Sequence, residues 1–240
     1  MTQLDRRRFL AASSAFAGLA ASGCTPATTQ TGPAAPRALV YGQLAKDPQG
    51  VLDLPQGFSY RVVSRLGDAM DDGGTVPDRA DGMGCFQLSD GRIALVRNHE
   101  LKPNHDAGGA LPGGFARGKD GKVLPGGTTT LVLNPDTLAV EKQYRSLAGT
   151  IRNCAGGTTP WGSWLTCEEA KLDDVTEPGH GWVFEVPAAH QGLVDPVPLK
   201  AMGRFNHEAA VIDPVSGHAY LTEDQDDGLI YRFVPNEPGN

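Results

Sequence analysis

The sequence predicts an all-β fold, and three observations carry that prediction. Beyond Tyr60 no long stretch repeats its apolar residues with the 3.6-residue period of a helix. Short β-branched and aromatic runs recur instead, separated by Gly, Pro and Asp turns. The 240 residues include 31 glycines and 18 prolines, about a fifth of the chain against an ordinary share of roughly 12%. Hydrophobic residues make up 40% of the chain, enough for a packed core. Short strands with frequent turns point to a barrel, a sandwich or a propeller.

The chain opens with an address. Asp5-Arg6-Arg7-Arg8-Phe9-Leu10 leads into the small, mildly apolar run Ala11 to Ala21, too short and too weakly apolar for a membrane span. Arg6-Arg7 followed by Phe9-Leu10 resembles a bacterial twin-arginine export signal. Ala21-Ser22-Gly23-Cys24 resembles a lipoprotein processing box, with Ala21 where Leu is usual, so residues 1–24 read as a signal with a candidate lipid at Cys24. Ordinary cleavage before Cys24 is the alternative. The Thr/Pro/Ala-rich stretch that follows, taken over 25–50, reads as a tether, and 51–240 as the β domain. Cys85, Cys154 and Cys167 remain in the exported part; a Cys85–Cys167 disulfide with Cys154 free is one arrangement of an odd set.

Within the domain Phe58 to Val63 is the first strand candidate, and Asp90-Gly91 turns into a strand over Arg92–Arg97. Thr129–Leu133 and Ala139–Tyr144 form a hairpin about Asn134-Pro135-Asp136. Trp161–Thr166 and Trp182–Val186 are further strands, and Ala209–Ile212, Ala219–Thr222 and Leu229–Val234 make a meander. Three strand candidates end in acid, at Glu100, at Glu168-Glu169 and at Glu223-Asp224, and Asn-His-Glu occurs at Asn98–Glu100 and again at Asn206–Glu208. In a propeller such ends would meet in a central channel, so the echo favours that fold.

The densest stretch is Asn153-Cys154-Ala155-Gly156-Gly157-Thr158-Thr159-Pro160-Trp161-Gly162-Ser163-Trp164-Leu165-Thr166-Cys167-Glu168-Glu169. It reads as a Gly-Gly bend bearing a thiol, followed by a strand that delivers two carboxylates. Converging carboxylates raise one another's pKa, and a polyvalent cation removes that penalty. Oxygen donors suit calcium, whereas a thiolate beside carboxylates suits iron or zinc. His99 and His207 are candidate ligands or proton donors, and Arg97, Arg152 and Arg204 candidate phosphate contacts. A net charge of -7 argues against a nucleic-acid backbone as partner, which would need a basic face. There is no nucleotide-binding glycine loop, no Gly-x-Ser-x-Gly elbow, and no EF-hand at Asp71–Gly74 or Asp224–Gly228.

From about Leu54 onward, Val96–Glu100, Asn153–Glu169, Arg204–Glu208 and Tyr220–Asp224 resemble the PhoX-type alkaline phosphatases. The resemblance implies a six-bladed β-propeller of which this chain supplies the N-terminal blades, incomplete at its C-terminus. It implies a phosphomonoesterase with Ca2+ and Fe3+ in the central channel, active on small phosphate monoesters. Cys154, Glu100, Glu168, Glu169, Glu208, Glu223 and Asp224 are the metal ligands it suggests, with Glu168 or Glu169 pointing inward. Glu208, Cys154 and Arg204 are the catalytic candidates. Twin-arginine export is typical of that family, and the chain is expected to be a monomer passed by the twin-arginine translocase to the periplasm, envelope or medium, touching membrane only through the candidate lipid at Cys24. A non-catalytic, calcium-stabilised binding propeller of the cell envelope is the alternative.

Overall fold

A computed structural model describes residues 40–170 and 179–237. The export signal, Cys24 and the first part of the tether lie outside the described residues. Two units divide at Tyr60. In the first, β1 (Leu44–Ala45) pairs antiparallel with β2 (Leu54–Pro55), so part of the expected tether is a short hairpin. Asp47 accepts the Val51 N–H and the Tyr60 hydroxyl, 2.8 and 2.7 Å away, and closes its loop.

The second unit is all-β in its described residues, apart from a single 3-10 turn at Lys200–Met202. No described helix is long and apolar enough to cross a membrane. Its strands are β3 (Ala80–Gln87), β4 (Ile93–His99), β5 (Gly126–Leu133), β6 (Val140–Thr150), β7 (Asn153–Thr158), β8 (Ser163–Glu168), β9 (Val183–Pro187), β10 (His207–Ile212), β11 (Ala219–Glu223) and β12 (Ile230–Phe233). They form three antiparallel meanders in chain order: β3-β4-β5-β6, β7-β8-β9 and β10-β11-β12. None of the sheets closes on itself.

Each hairpin follows from local chemistry. Asn134 accepts backbone N–H bonds from Asp136 and Thr137 and so caps the β5–β6 turn. Asp213 does the same for Val215 at the β10–β11 turn. The sheets pack face to face. Ala94 and Val96 of the first meet Trp164, Phe184 and Val186 of the second. The other face of the second sheet, Leu165, Cys167 and Val183, meets Ala210, Ile212 and Leu221 of the third. The middle strand β8 is buried on both faces: Trp164 faces the first sheet, while Leu165 and Cys167 face the third.

Three expectations are corrected here. Phe58–Val63 forms no strand; Phe58 instead sets its ring edge-on to Tyr41 at 5.5 Å. Cys85 and Cys167 are both free thiols, since Cys85 faces out from β3 while Cys167, on β8, is buried in the core. Cys154-Ala155-Gly156-Gly157 is not a bend but the body of strand β7.

The glycines of β7 serve close approach rather than turning. A Cβ on Gly156 would collide with the Leu165 carbonyl oxygen, and one on Gly157 with that of Ala210. Across the sheet boundary, a Cβ on Gly82 of β3 would stand 2.9 Å from the Ala155 Cα and the Cys154 carbonyl oxygen. Missing side chains thus let β3, β7 and β10, the first strands of three sheets, lie against one another. Replacing Gly157 with Ala should lower the unfolding free energy by about 1–3 kcal/mol through overpacking. Gly113→Ala, where nothing lies within 4 Å of the added carbon, should change it by no more than about 0.5 kcal/mol. Urea unfolding of both variants beside the parent checks the pair.

Candidate metal centre

The three sheets repeat one irregularity at one end. Ala80 pairs with His99, Asn153 with Glu168 and His207 with Glu223. After each pair the first strand uses three residues where its partner uses two, reaching Met83–Arg97, Gly156–Thr166 and Ala210–Leu221. Each is a β-bulge, the device by which a strand re-aims a side chain. The residues so placed are Asp81, Cys154 and Glu208. The residues just past the paired end of the second strands are Glu100, Glu169 and Asp224.

These residues assemble. The Cys154 thiol donates to Glu208, with Sγ 3.3 Å from Oε1 and 3.2 Å from Oε2. One donor atom from each of Cys154, Glu169 and Glu208 lies within 4.8 Å of the others. Glu169 is buried, and Cys154 and Glu208 are half-buried. Burial pushes the Glu169 carboxyl above its ordinary value; Arg152 opposes that, while Glu100 and a hydrogen bond shared with Asp224 add to it. Burial likewise pushes the Cys154 thiol far up, reinforced by Glu208, Asp81 and Glu169. Arg152 offsets part of this crowding: its Nε donates to Glu100 at 2.9 Å and its Nη2 to Glu169 at 2.6 Å.

Asn98 positions the thiol. Fully buried, it donates through Nδ2 to the carbonyls of Cys154 and Ala155, at 2.9 and 2.8 Å, and accepts the Trp164 indole N–H at 2.9 Å. The first sheet, through Asn98, and the neighbouring strand β8, through Trp164, therefore grip the bulge that carries Cys154.

Other expected site residues lie elsewhere. Glu168 is wholly buried and accepts four hydrogen bonds: Ile151 N–H and His180 Nδ1 on Oε1, Gly181 and Trp182 N–H on Oε2. Alternation along the strand end turns it inward to the backbone and turns Glu169 to the thiol. Glu223 accepts from Gln225, Leu229 and Tyr231 and closes the β11–β12 connection. Arg204 donates to the His180 carbonyl at 2.7 Å, its guanidinium 5.5 Å from the Trp182 ring centre. His99 and His207 are fully buried beside the cluster. His99 bonds the Asp78 carbonyl and the Thr129 hydroxyl, each at 2.9 Å. His207 bonds the Gly203 carbonyl at 3.2 Å and stacks on Phe205. Burial pushes these imidazoles down to about 3 and about 4, so both are neutral at pH 7.

Asp81 went unread in the sequence, because Ala80-Asp81-Gly82-Met83-Gly84 has the composition of a turn. An acid beside a glycine, ahead of the apolar strand that ends in Glu100, was the available signal. A larger cavity, about 1210 Å³ in the β4–β5 connection and lined by His105, Arg117 and Lys122, contains none of the cluster residues.

The donor set of one thiol with several carboxylates, at converging strand ends of an all-β chain, is what the family comparison speaks to. The alkaline phosphatase PhoX family matches residues 39–137 and 134–240. The chain belongs to that family. Neither the curated proteins nor the solved structures give a significant match. Members of the PhoX family are metal-dependent phosphatases, and the Cys154–Glu169–Glu208 group is a fitting place for a cation in this one.

Two outcomes follow from this geometry. Glu168→Ala removes the buried acceptor of the His180 ring and of the Ile151, Gly181 and Trp182 N–H groups, and should lower stability by about 3–5 kcal/mol in urea unfolding. Below pH 6.5 unfolded His99 takes up a proton that the folded chain refuses until about pH 3. Stability therefore falls as pH drops through that window, by up to about 1.4 kcal/mol per unit for this group. In His99→Gln that part of the slope should vanish in urea titrations of metal-free protein at stepped pH; parallel curves would contradict it.

Proposed function

We propose that this chain is an exported, metal-dependent phosphatase of the PhoX type, hydrolysing small phosphate monoesters at the strand-end cluster. The observation that carries the reading is the Cys154 thiol 3.2 Å from Glu208 with Glu169 in the same group. Carboxylates and a thiol held together, with the Glu169 carboxyl and the Cys154 thiol pushed up by burial and neighbouring anions, are arranged for a cation that removes the repulsion. The mixed sulfur–oxygen set suits iron, assigned as Fe3+, while the all-oxygen residues Glu100, Asp81 and Asp224 suit Ca2+. When bound, such cations neutralise the phosphoryl oxygens and lower the pKa of an attacking water.

The chain's own residues supply the frame for that chemistry. Glu208 accepts a hydrogen bond from the Cys154 thiol in the metal-free protein and, with Cys154 and Glu169, offers the inner donors. Arg204 takes a supporting place: it fixes the His180 carbonyl, and His180 holds Glu168, whose backbone bonds set the strand end that bears Glu169. The three meanders, packed face to face with their first strands together, support the reading of them as blades of a β-propeller, six in the family. Export through the twin-arginine translocase to the periplasm or beyond, with or without a lipid at Cys24, completes the reading.

Protein purified without added metal or chelator should contain iron and calcium by elemental analysis. Cys154→Ser and Glu208→Gln should each lower kcat/KM for p-nitrophenyl phosphate by at least about 100-fold, with cooperative unfolding retained. Parent-like hydrolysis in either variant would remove these residues from the reaction.

A further inference from the structure

Arg152 holds a backbone conformation that few residues with side chains adopt. Its φ is +46°, in the left-handed region where glycine is the easy choice. The chain keeps an arginine there, and four hydrogen bonds explain how. Its N–H donates to the Leu101 carbonyl at 2.9 Å, and its own carbonyl accepts the Glu169 N–H at 2.9 Å. Its Nε reaches Glu100 at 2.9 Å and its Nη2 reaches Glu169 at 2.6 Å. One residue therefore joins the segments that leave β4 and β8, through backbone and side chain alike.

We propose that Arg152 is the positioning residue of the centre, holding Glu169 towards Cys154 and Glu208 and binding Glu100 to it before any cation arrives. The Glu169 carboxylate that it grips is the same one grouped with Cys154 and Glu208 within 4.8 Å. Those ion pairs are partly shielded, with side-chain exposures of 30% for Arg152, 23% for Glu100 and 12% for Glu169. A guanidinium suits the task because its planar fork reaches two carboxylates at once; a lysine ammonium is a point charge on a flexible stem. Nearby charge stays predominantly negative, with Asp81, Glu208 and Asp224 facing the same cluster. Arg152 thus organises the acids without neutralising the site. A direct phosphate contact is the competing role, and it conflicts with both Nε and Nη2 already being engaged by carboxylates.

This inference rests on the metal reading above, and the test separates the two. The probe is Co2+ titrated into metal-free protein, followed by the thiolate-to-cobalt absorption band, with Cys154→Ser as the blank. The parent should bind with that band. Arg152→Gln should bind about 10–100-fold more weakly, as when a residue that orients a metal ligand is removed. Arg152→Lys should fall between, keeping the charge but not the span. If Arg152→Gln lacks cooperative unfolding, Arg152→Lys and Glu100→Gln carry the test, each with affinity reduced several-fold. Affinities within twofold of the parent would overturn the positioning role, as would parent-like Co2+ binding combined with a raised KM for p-nitrophenyl phosphate, the mark of a phosphate contact. A parent that shows no thiolate band overturns the metal reading, and this inference with it.

Discussion

Backbone segments of different sheets can approach closely only where a side chain is missing, and the centre depends on that constraint. Gly82 lies against the backbone of Cys154 and Ala155, and Gly157 against the carbonyl of Ala210. Without those gaps β3, β7 and β10 would stand farther apart, and Asp81, Cys154 and Glu208 would be separate surface groups. The approach brings like charges together in a partly dry place. That is unfavourable in the metal-free protein, as the raised Glu169 and Cys154 pKa values register. A fold tolerates such a place when rigid neighbours over-determine it. Here the over-determination comes from Asn98 on one side of the thiol and Arg152 on one side of the carboxylates.

Glu168 and Glu169 show how one strand end serves two ends. Both are carboxylates in one dipeptide, yet one has every hydrogen bond it needs and the other has a crowd of anions. Glu168 gathers the backbone N–H groups of Ile151, Gly181 and Trp182 together with His180. A buried carboxylate so satisfied is a scaffold element, strongly destabilising to remove on one side alone. Glu169 inherits its direction from that anchor. The chemistry of the member at the cluster is thus set by its wholly buried neighbour, and Arg204 joins the same support through the His180 carbonyl.

Much of the fold was legible because period and turn chemistry agree. The β4, β5–β6 and β10–β11–β12 segments carry alternating or β-branched residues between Asp, Asn and Pro turns, and the strands lie close to where those signals put them. β3 and β7 were not legible. Their glycines, read locally, mean turns, and their real function is to admit a neighbouring backbone that a local reading cannot see. The centre was legible in part for the same reason. The acid-ended strands β4, β8 and β11 are equivalent second strands, as their spacing suggested. The repeated Asn-His-Glu is a false echo, since His99 ends a second strand whereas His207 begins a first one. Glu168 and Glu223 could not be told from Glu169 and Asp224 by type; only register separates the paired residue from the one just beyond it.

That register also accounts for the mixture of donors. The bulge is the same in all three sheets, so the backbone offers three equivalent places on first strands and three just past second strands. Chemistry then enters by side chain alone. The first and third sheets place carboxylates in both positions, Asp81 with Glu100 and Glu208 with Asp224. The middle sheet substitutes a thiol for one of them, pairing Cys154 with Glu169. A soft donor in the middle of hard ones makes the middle position chemically distinct without any change of fold. Arg152 stands beside this middle sheet and ties it to the first, so the place where the donor set changes is also the place where the charges are held most firmly. Divergence of function on such a scaffold needs no new backbone, only a different side chain on a bulge that is already there.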